Sequence, residues 1–185
     1  MTTTWLVAKS SIEANNAHTK LTRFPDGLMT AAKSAAELKN LPIFVYGTLK
    51  RGEIREKRWP RRPLQILPAW TRGFLHDTGP YPAMVAGTDR VLGELWFVAD
   101  EDLAETLRVL DRIECYGTGG VDLYVRVTVD CETLPAQELP GEQHLAYTYL
   151  YAEDISRHVR VRPSADGYCR WSRSSSGASR SGRRR

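Results

Sequence analysis

The chain has 185 residues, 42% hydrophobic and 26% charged, a balance that excludes a fibrous repeat or global disorder and suits one domain with extensions. Its formal charge of +4 is concentrated at one end: Arg173, Arg180, Arg183, Arg184 and Arg185 supply five of the 26 basic residues, leaving 21 against 22 acidic ones. That distribution excludes a basic face across the whole chain, so nucleic acid is not an expected partner.

Residues 1–40 are mixed and polar and read as an N-terminal extension, partly disordered, with one short helix expected over Thr30 to Lys39, where alanines, Leu38 and lysines favour it. Structure sharpens at Pro42. Ile43-Phe44-Val45-Tyr46 is a short β-type run that stops at Gly47, as a strand entering a tight loop would. The basic stretch from Lys50 to Arg62 reads as solvated loop rather than a phosphate footprint. Gly73, Gly79, Pro80 and Pro82 mark a turn-rich segment, and Val91 to Val98 reads as a buried strand.

Asp100, Glu101 and Asp102 suit the positive end of a helix reaching about Ile113, with Asp100 as its N-cap and Gly117, Gly119 and Gly120 as its exit. Two further strands follow, one in which Val125, Val127 and Val129 alternate with Arg126 and Thr128, the other from Leu145 to Tyr151. Strands interleaved with a single strong helix, and linkers too short for successive parallel crossovers, predict an α+β domain over 41–172 with a mainly antiparallel or mixed sheet. Closure of that sheet is not readable. Residues 173–185 are Ser, Gly, Ala and Arg, a composition that cannot bury enough surface to fold and is expected to be a disordered tail.

Three cysteines, Cys115, Cys131 and Cys169, without metal or redox spacing argue against a secreted disulfide scaffold and fit a cytoplasmic protein. The N-terminal residues lack the pattern of a signal peptide, and no run nears the roughly 18 apolar residues of a membrane span, so an unexported chain with no membrane partner is expected.

One residue breaks the helix pattern. With Leu103 at zero on a helical wheel, Leu107 falls at about 40°, Leu110 at about −20° and Glu114 at about 20°. Glu114 therefore lies amid a leucine stripe, where burial would raise its pKa into the range useful for proton transfer. The alternative is that the helix ends a residue or two early and lets Glu114 turn outward or bond Arg112. Asp111, on the flank of the stripe, reads as a structural carboxylate for a backbone group or an arginine such as Arg126. The loop Tyr46-Gly47-Thr48-Leu49 is either a plain strand-ending turn or a set of main-chain N–H groups able to hold a carboxylate or carbonyl oxygen, with Gly47 allowing the turn.

Five segments stand in one order: Val45 to Gly52, Gly79 to Val85, Val91 to Leu95, Leu110 to Glu114 and Tyr124 to Val127. This series resembles the γ-glutamylcyclotransferase-like family over about 130 of the 185 residues. The resemblance implies a small mixed β-barrel with flanking helices. It implies an enzyme that releases 5-oxoproline from a small-molecule γ-glutamyl amine or peptide by attack of the substrate's own α-amine, with no water consumed and no cofactor or metal. By match to the family's motifs, Tyr46, Gly47, Thr48 and Leu49 would cradle substrate and Glu114 would be the catalytic acid/base.

Tyr81, in a Gly-x-Tyr-Pro context that recurs in the family, and Tyr149 are candidates for the pocket wall, or else ordinary core tyrosines. Cys115 stands where relatives often carry Gly and is expected to be a buried or semi-buried thiol. A non-catalytic small-molecule-binding protein of the same fold is the alternative. The leaving group, the oligomeric state and the roles of the two extensions are not legible.

Overall fold

A computed structural model describes residues 41–135 and 140–172; the helix expected over Thr30 to Lys39 and the tail from Arg173 lie outside the described residues. Along the chain these form β1 Ile43–Val45, β2 Gln65–Asp77, β3 Pro82–Phe97, α1 Asp100–Ile113, β4 Tyr124–Thr133, β5 Gln143–Tyr151, β6 Val159–Arg160 and β7 Tyr168–Cys169. A 3-10 turn, Glu56–Arg58, interrupts the segment between β1 and β2.

The strands lie in the order β6-β2-β4-β5-β1-β3-β7, and β2 also pairs with β3. That extra pairing joins β2, β4, β5, β1 and β3 into a closed ring, with β6 and β7 added outside it. The five ring strands form a mixed β-barrel: β1 runs parallel to β5, while β1–β3, β2–β3, β2–β4 and β4–β5 are antiparallel. Closure leaves the ring without the unpaired edges that invite association. Gly93 makes the β1–β3 approach possible, because a Cβ there would lie 2.4 Å from the Val45 carbonyl oxygen and 2.6 Å from the Phe44 ring.

Side chains on β1 explain why its sequence is a continuous apolar run rather than an alternation. Phe44 joins Leu75, Met84, Val91, Leu95 and Ala146 inside the ring, whereas Ile43 and Val45 pack outward with Trp96 against Leu103, Leu107 and Leu110 of α1. Successive strand residues point to opposite faces, and here both faces are covered. The leucine stripe of α1 is thus buried against the barrel wall.

Two expectations require correction. The segment from Gly73 to Pro82 is not turn-rich throughout: β2 runs through it to Asp77 and β3 begins at Pro82, the two strands pairing from Gln65 opposite Phe97 to Asp77 opposite Pro82, with a register shift at Gly73/Phe74. The turn itself is confined to residues 78–81, where the Asp77 carboxylate accepts the Gly79 N–H at 2.8 Å and the Thr78 hydroxyl donates to the Tyr81 carbonyl at 2.6 Å. Gly73 marks the irregularity, as glycines within strands often do. Asp100 is the first helical residue rather than the N-cap; that position belongs to Ala99, with no side-chain capping bond. The acidic residues of the first turn still face the positive end of the helix, and Arg61 ties Asp102 and Glu105 at 3.2 and 3.0 Å. No helix among the described residues is long and apolar enough to cross a membrane.

Candidate active site

Where β1 ends and β3 and β4 begin, the barrel opens into a cleft of about 360 Å³ including its mouth, lined by residues 44–49, Arg55, Tyr81, Pro82, Glu114, Tyr124, Thr148 and Tyr149. All seven residues singled out from the sequence as site candidates, Glu114, Tyr46, Gly47, Thr48, Leu49, Tyr81 and Tyr149, border this one space.

Glu114 reaches the cleft because of how α1 stops. It occupies the C-cap, its N–H bonded to the Leu110 carbonyl at 2.9 Å. The next residue, Cys115, has φ of 55°. The Tyr116 N–H returns to the Asp111 carbonyl at 2.8 Å and the Cys115 N–H to that of Arg112 at 3.4 Å. This is the Schellman pattern, in which the residue after the C-cap takes the left-handed conformation and is most often Gly. Cys115 is accordingly exposed, not the buried or semi-buried thiol expected, since the reversal of the backbone carries its side chain outward.

The reversal leaves Glu114 in line with the stripe and 8% exposed. Burial pushes its carboxyl up to about 7, opposed by the positive charge of Arg55. No hydrogen bond to the Glu114 carboxylate occurs among the described residues, and Arg112 does not pair with it. A carboxyl near 7 exchanges protons readily at neutral pH.

The loop after β1 is held from one side. The Gly47 carbonyl accepts the Lys50 N–H at 3.1 Å, the Thr48 carbonyl the Arg55 N–H at 2.9 Å, and the Leu49 carbonyl the Trp59 indole N–H at 3.0 Å. The main-chain N–H groups of Gly47, Thr48 and Leu49 have no partner among the described residues. Adjacent unpaired N–H groups in a cavity wall form a concavity suited to an anion or a polarised carbonyl oxygen. Gly47 is needed for space, not for an unusual backbone angle: its φ is not positive, but a Cβ there would lie 2.4 Å from Cγ of the rigid Pro82 ring.

Tyrosines frame the cleft. The Tyr46 hydroxyl donates to the Tyr149 carbonyl at 2.7 Å, and the Tyr124 hydroxyl donates to the Pro82 carbonyl at 2.8 Å. Burial, together with the charge of Glu114, raises the pKa of both phenols, so they stay protonated. Tyr149 also borders the cleft, with its hydroxyl committed to Asp111 at 2.7 Å. Asp111 also receives both bonds of the Arg126 guanidinium, at 2.9 and 2.7 Å, which bears out its reading as a structural carboxylate.

Sequence reading missed Tyr124, Thr148, Pro82 and Arg55. The first two lie on strands that were legible, but no local pattern tells which strand residues end at a barrel mouth. Arg55 was grouped with a solvated basic run, and most of that run is indeed exposed. Its N–H bond to Thr48 and the 3-10 turn that follows fold this one arginine back over the loop, a placement for which the sequence carries no periodic signal.

Residues 43–173 match the family described as gamma-glutamyl cyclotransferase, AIG2-like. Over 113 residues the chain is 34% identical to the gamma-L-glutamyl-butirosin B gamma-glutamyl cyclotransferase of Niallia circulans, covering 60% of this chain and 67% of that protein. Among solved structures it overlaps an AIG2-like protein from Mus musculus at 24% identity and a TM-score of 0.45, covering 61% of this chain and 78% of that one. It also overlaps an uncharacterized protein from Pyrococcus horikoshii at 23% identity and a TM-score of 0.44, covering 65% and 85%. Those scores add nothing to the reading of the cleft. With the family match spanning well over half its length, this chain belongs to the AIG2-like gamma-glutamyl cyclotransferase family.

Proposed function

We propose that the domain over residues 41–172 releases 5-oxoproline from a γ-glutamyl amine or peptide at this cleft, with Glu114 as the general acid/base. The observation that carries the reading is a buried carboxyl, pushed up to about 7 and free of structural bonds, beside a loop whose N–H groups are unpaired. Family membership supplies the substrate class; the relative from Niallia circulans is named for a gamma-L-glutamyl substrate.

In the reaction the substrate's α-amine nitrogen bonds to its own γ-carbonyl carbon, and the bond from that carbon to the amide nitrogen breaks. Ionised Glu114 takes the proton released by the attacking amine and returns it to the departing nitrogen, so no water is consumed and the carboxylate is regenerated. The N–H groups of Gly47, Thr48 and Leu49 hold either the glutamyl carboxylate or the oxygen that gains charge as the carbonyl is attacked, a role worth roughly 3–4 kcal/mol where it has been dissected. Tyr81, Tyr124 and the ring of Tyr149 enclose the substrate's carbon chain. Because nucleophile and electrophile belong to one molecule, holding them in a reactive geometry is a large part of the task.

The test is 5-oxoproline release from a panel of γ-glutamyl amines and peptides by the wild-type protein and by Glu114→Gln. Turnover lost in the variant supports the reading, and a wild-type rate that rises with pH through about 7 ties it to this carboxyl. A folded wild-type protein without turnover across the panel would leave a binding role instead.

A further inference from the structure

A cation in the cleft has no hydrogen-bonded counter-ion among the described residues. Arg55 is the positively charged side chain among the described lining residues, and it is half-buried. None of the ion pairs among the described residues includes it. The acidic neighbours that might have served are committed elsewhere. Glu56 accepts the Gly52 N–H at 2.8 Å, and Glu94 accepts the Arg51 N–H, the Arg51 Nε and the Trp96 indole N–H at 3.0, 3.1 and 3.0 Å. Glu114 feels the charge of Arg55 without bonding it.

The backbone holding Arg55 is firmly placed. Its N–H bonds the Thr48 carbonyl at 2.9 Å, its carbonyl accepts the Arg58 N–H at 2.9 Å, and Gly52 is secured by Glu56 just before it. A half-desolvated guanidinium without a partner is costly to the protein alone and favourable once an anion enters. Its planar fork of donors matches a carboxylate with two parallel bonds.

We propose that Arg55 is a specificity-determining residue that binds a carboxylate of the substrate. This rests on the cleft being the γ-glutamyl site. Every γ-glutamyl substrate carries the glutamyl α-carboxylate; a γ-glutamyl amino acid carries a second one on its leaving group, and a γ-glutamyl alkylamine does not. Arg55 therefore supplies a charged anchor distinct from the uncharged N–H groups of the 46–49 loop, and the chain has one site for a carboxylate and one for the carbonyl oxygen under attack.

The experiment compares a γ-glutamyl amino acid with a γ-glutamyl alkylamine on wild type, Arg55→Met and Arg55→Lys, assayed above pH 8 so that Glu114 is ionised throughout. Since the Arg55 side chain makes no bond within the described protein, Arg55→Met should melt like wild type. KM is expected to rise on the order of tenfold to a hundredfold in Arg55→Met, with kcat changed far less and Arg55→Lys intermediate. A rise for both substrates assigns the arginine to the glutamyl carboxylate; a rise confined to the amino acid assigns it to the leaving group. Unchanged KM for both, with turnover intact, overturns the proposal and leaves the cyclotransferase reading standing.

Calorimetric binding of the same two compounds to Glu114→Gln, with and without Arg55→Met, reads the anchor independently of turnover. Binding that weakens with the loss of Arg55 while the wild type shows no activity would retain the anchor and remove the enzyme.

Discussion

Asp111 and Glu114 stand three residues apart at the end of α1, and the surroundings of each give its charge a different fate. Burial lifts both carboxyls, but at Asp111 the Tyr149 hydroxyl and the Arg126 guanidinium oppose the lift, while Glu114 meets only the unbonded charge of Arg55. The Asp111 cluster ties the helix to β4 and β5, and every atom of its carboxylate is engaged. Glu114 is left with a proton affinity near neutrality and no structural duty. One carboxylate holds the last turn in place so that the other can reach the cleft, and neither role follows from residue type alone.

The comparison is broken most directly by removing each charge in turn. Glu114→Gln should lower 5-oxoproline release by about 10²–10⁴-fold, the usual worth of a general acid/base, with the circular dichroism spectrum unchanged. If Asp111→Asn abolished turnover in a fully folded protein while Glu114→Gln did not, the roles would have to be exchanged.

Stability against pH is the next largest effect. The Glu114 carboxyl sits at about 7 in the folded chain against 4.5 as a free side chain, so the folded state binds the extra proton between those values. Its favourable contribution is complete below pH 4.5 and is lost as pH rises to about 7. The difference amounts to about 3 kcal/mol. Denaturant melts of wild type should therefore lose stability over this range relative to Glu114→Gln, and parallel curves for the two proteins would refute a buried, titrating Glu114.

Asp111→Asn should cost about 2 kcal/mol in the same melts, because Arg126 loses a charge-assisted partner in a partly buried place, while turnover at temperatures where the protein stays folded falls less than tenfold. The smallest effect belongs to the helix stop between the two environments. Cys115→Gly relieves a left-handed backbone at φ of 55° and should raise stability by about 1 kcal/mol, leaving the pH dependence of turnover where it was. A shift of that dependence would mean that the cysteine tunes Glu114 rather than merely ending the helix.

What could be read from the sequence was whatever repeats over a few residues. The stripe Leu103, Leu107, Leu110 and Glu114 is a matter of helical period, and it found the buried carboxylate with no knowledge of the barrel. The apolar run of β1, the alternation in β4 and the aromatic stretch of β5 were legible for the same reason. Strand β2 was not, because Pro68, Arg72 and Gly73 interrupt any alternation and its place rests on pairing with β3 and β4, a context that overrides local preference.

The order of motifs in the chain by itself determined the family, the helix bearing Glu114 and the loop bearing Gly47. Only the tertiary structure decided that the sheet closes through the β2–β3 pairing, that Gly47 is required by Pro82 rather than by its own backbone angle, and that Arg55 leaves its exposed neighbours to enter the cleft. Periodicity is a property of neighbours along the chain, whereas closure, steric fit and an unpaired charge depend on residues that no short repeat links, such as Gly47 and Pro82, or Pro82 and Tyr124, whose 2.8 Å bond helps shape the mouth of the barrel.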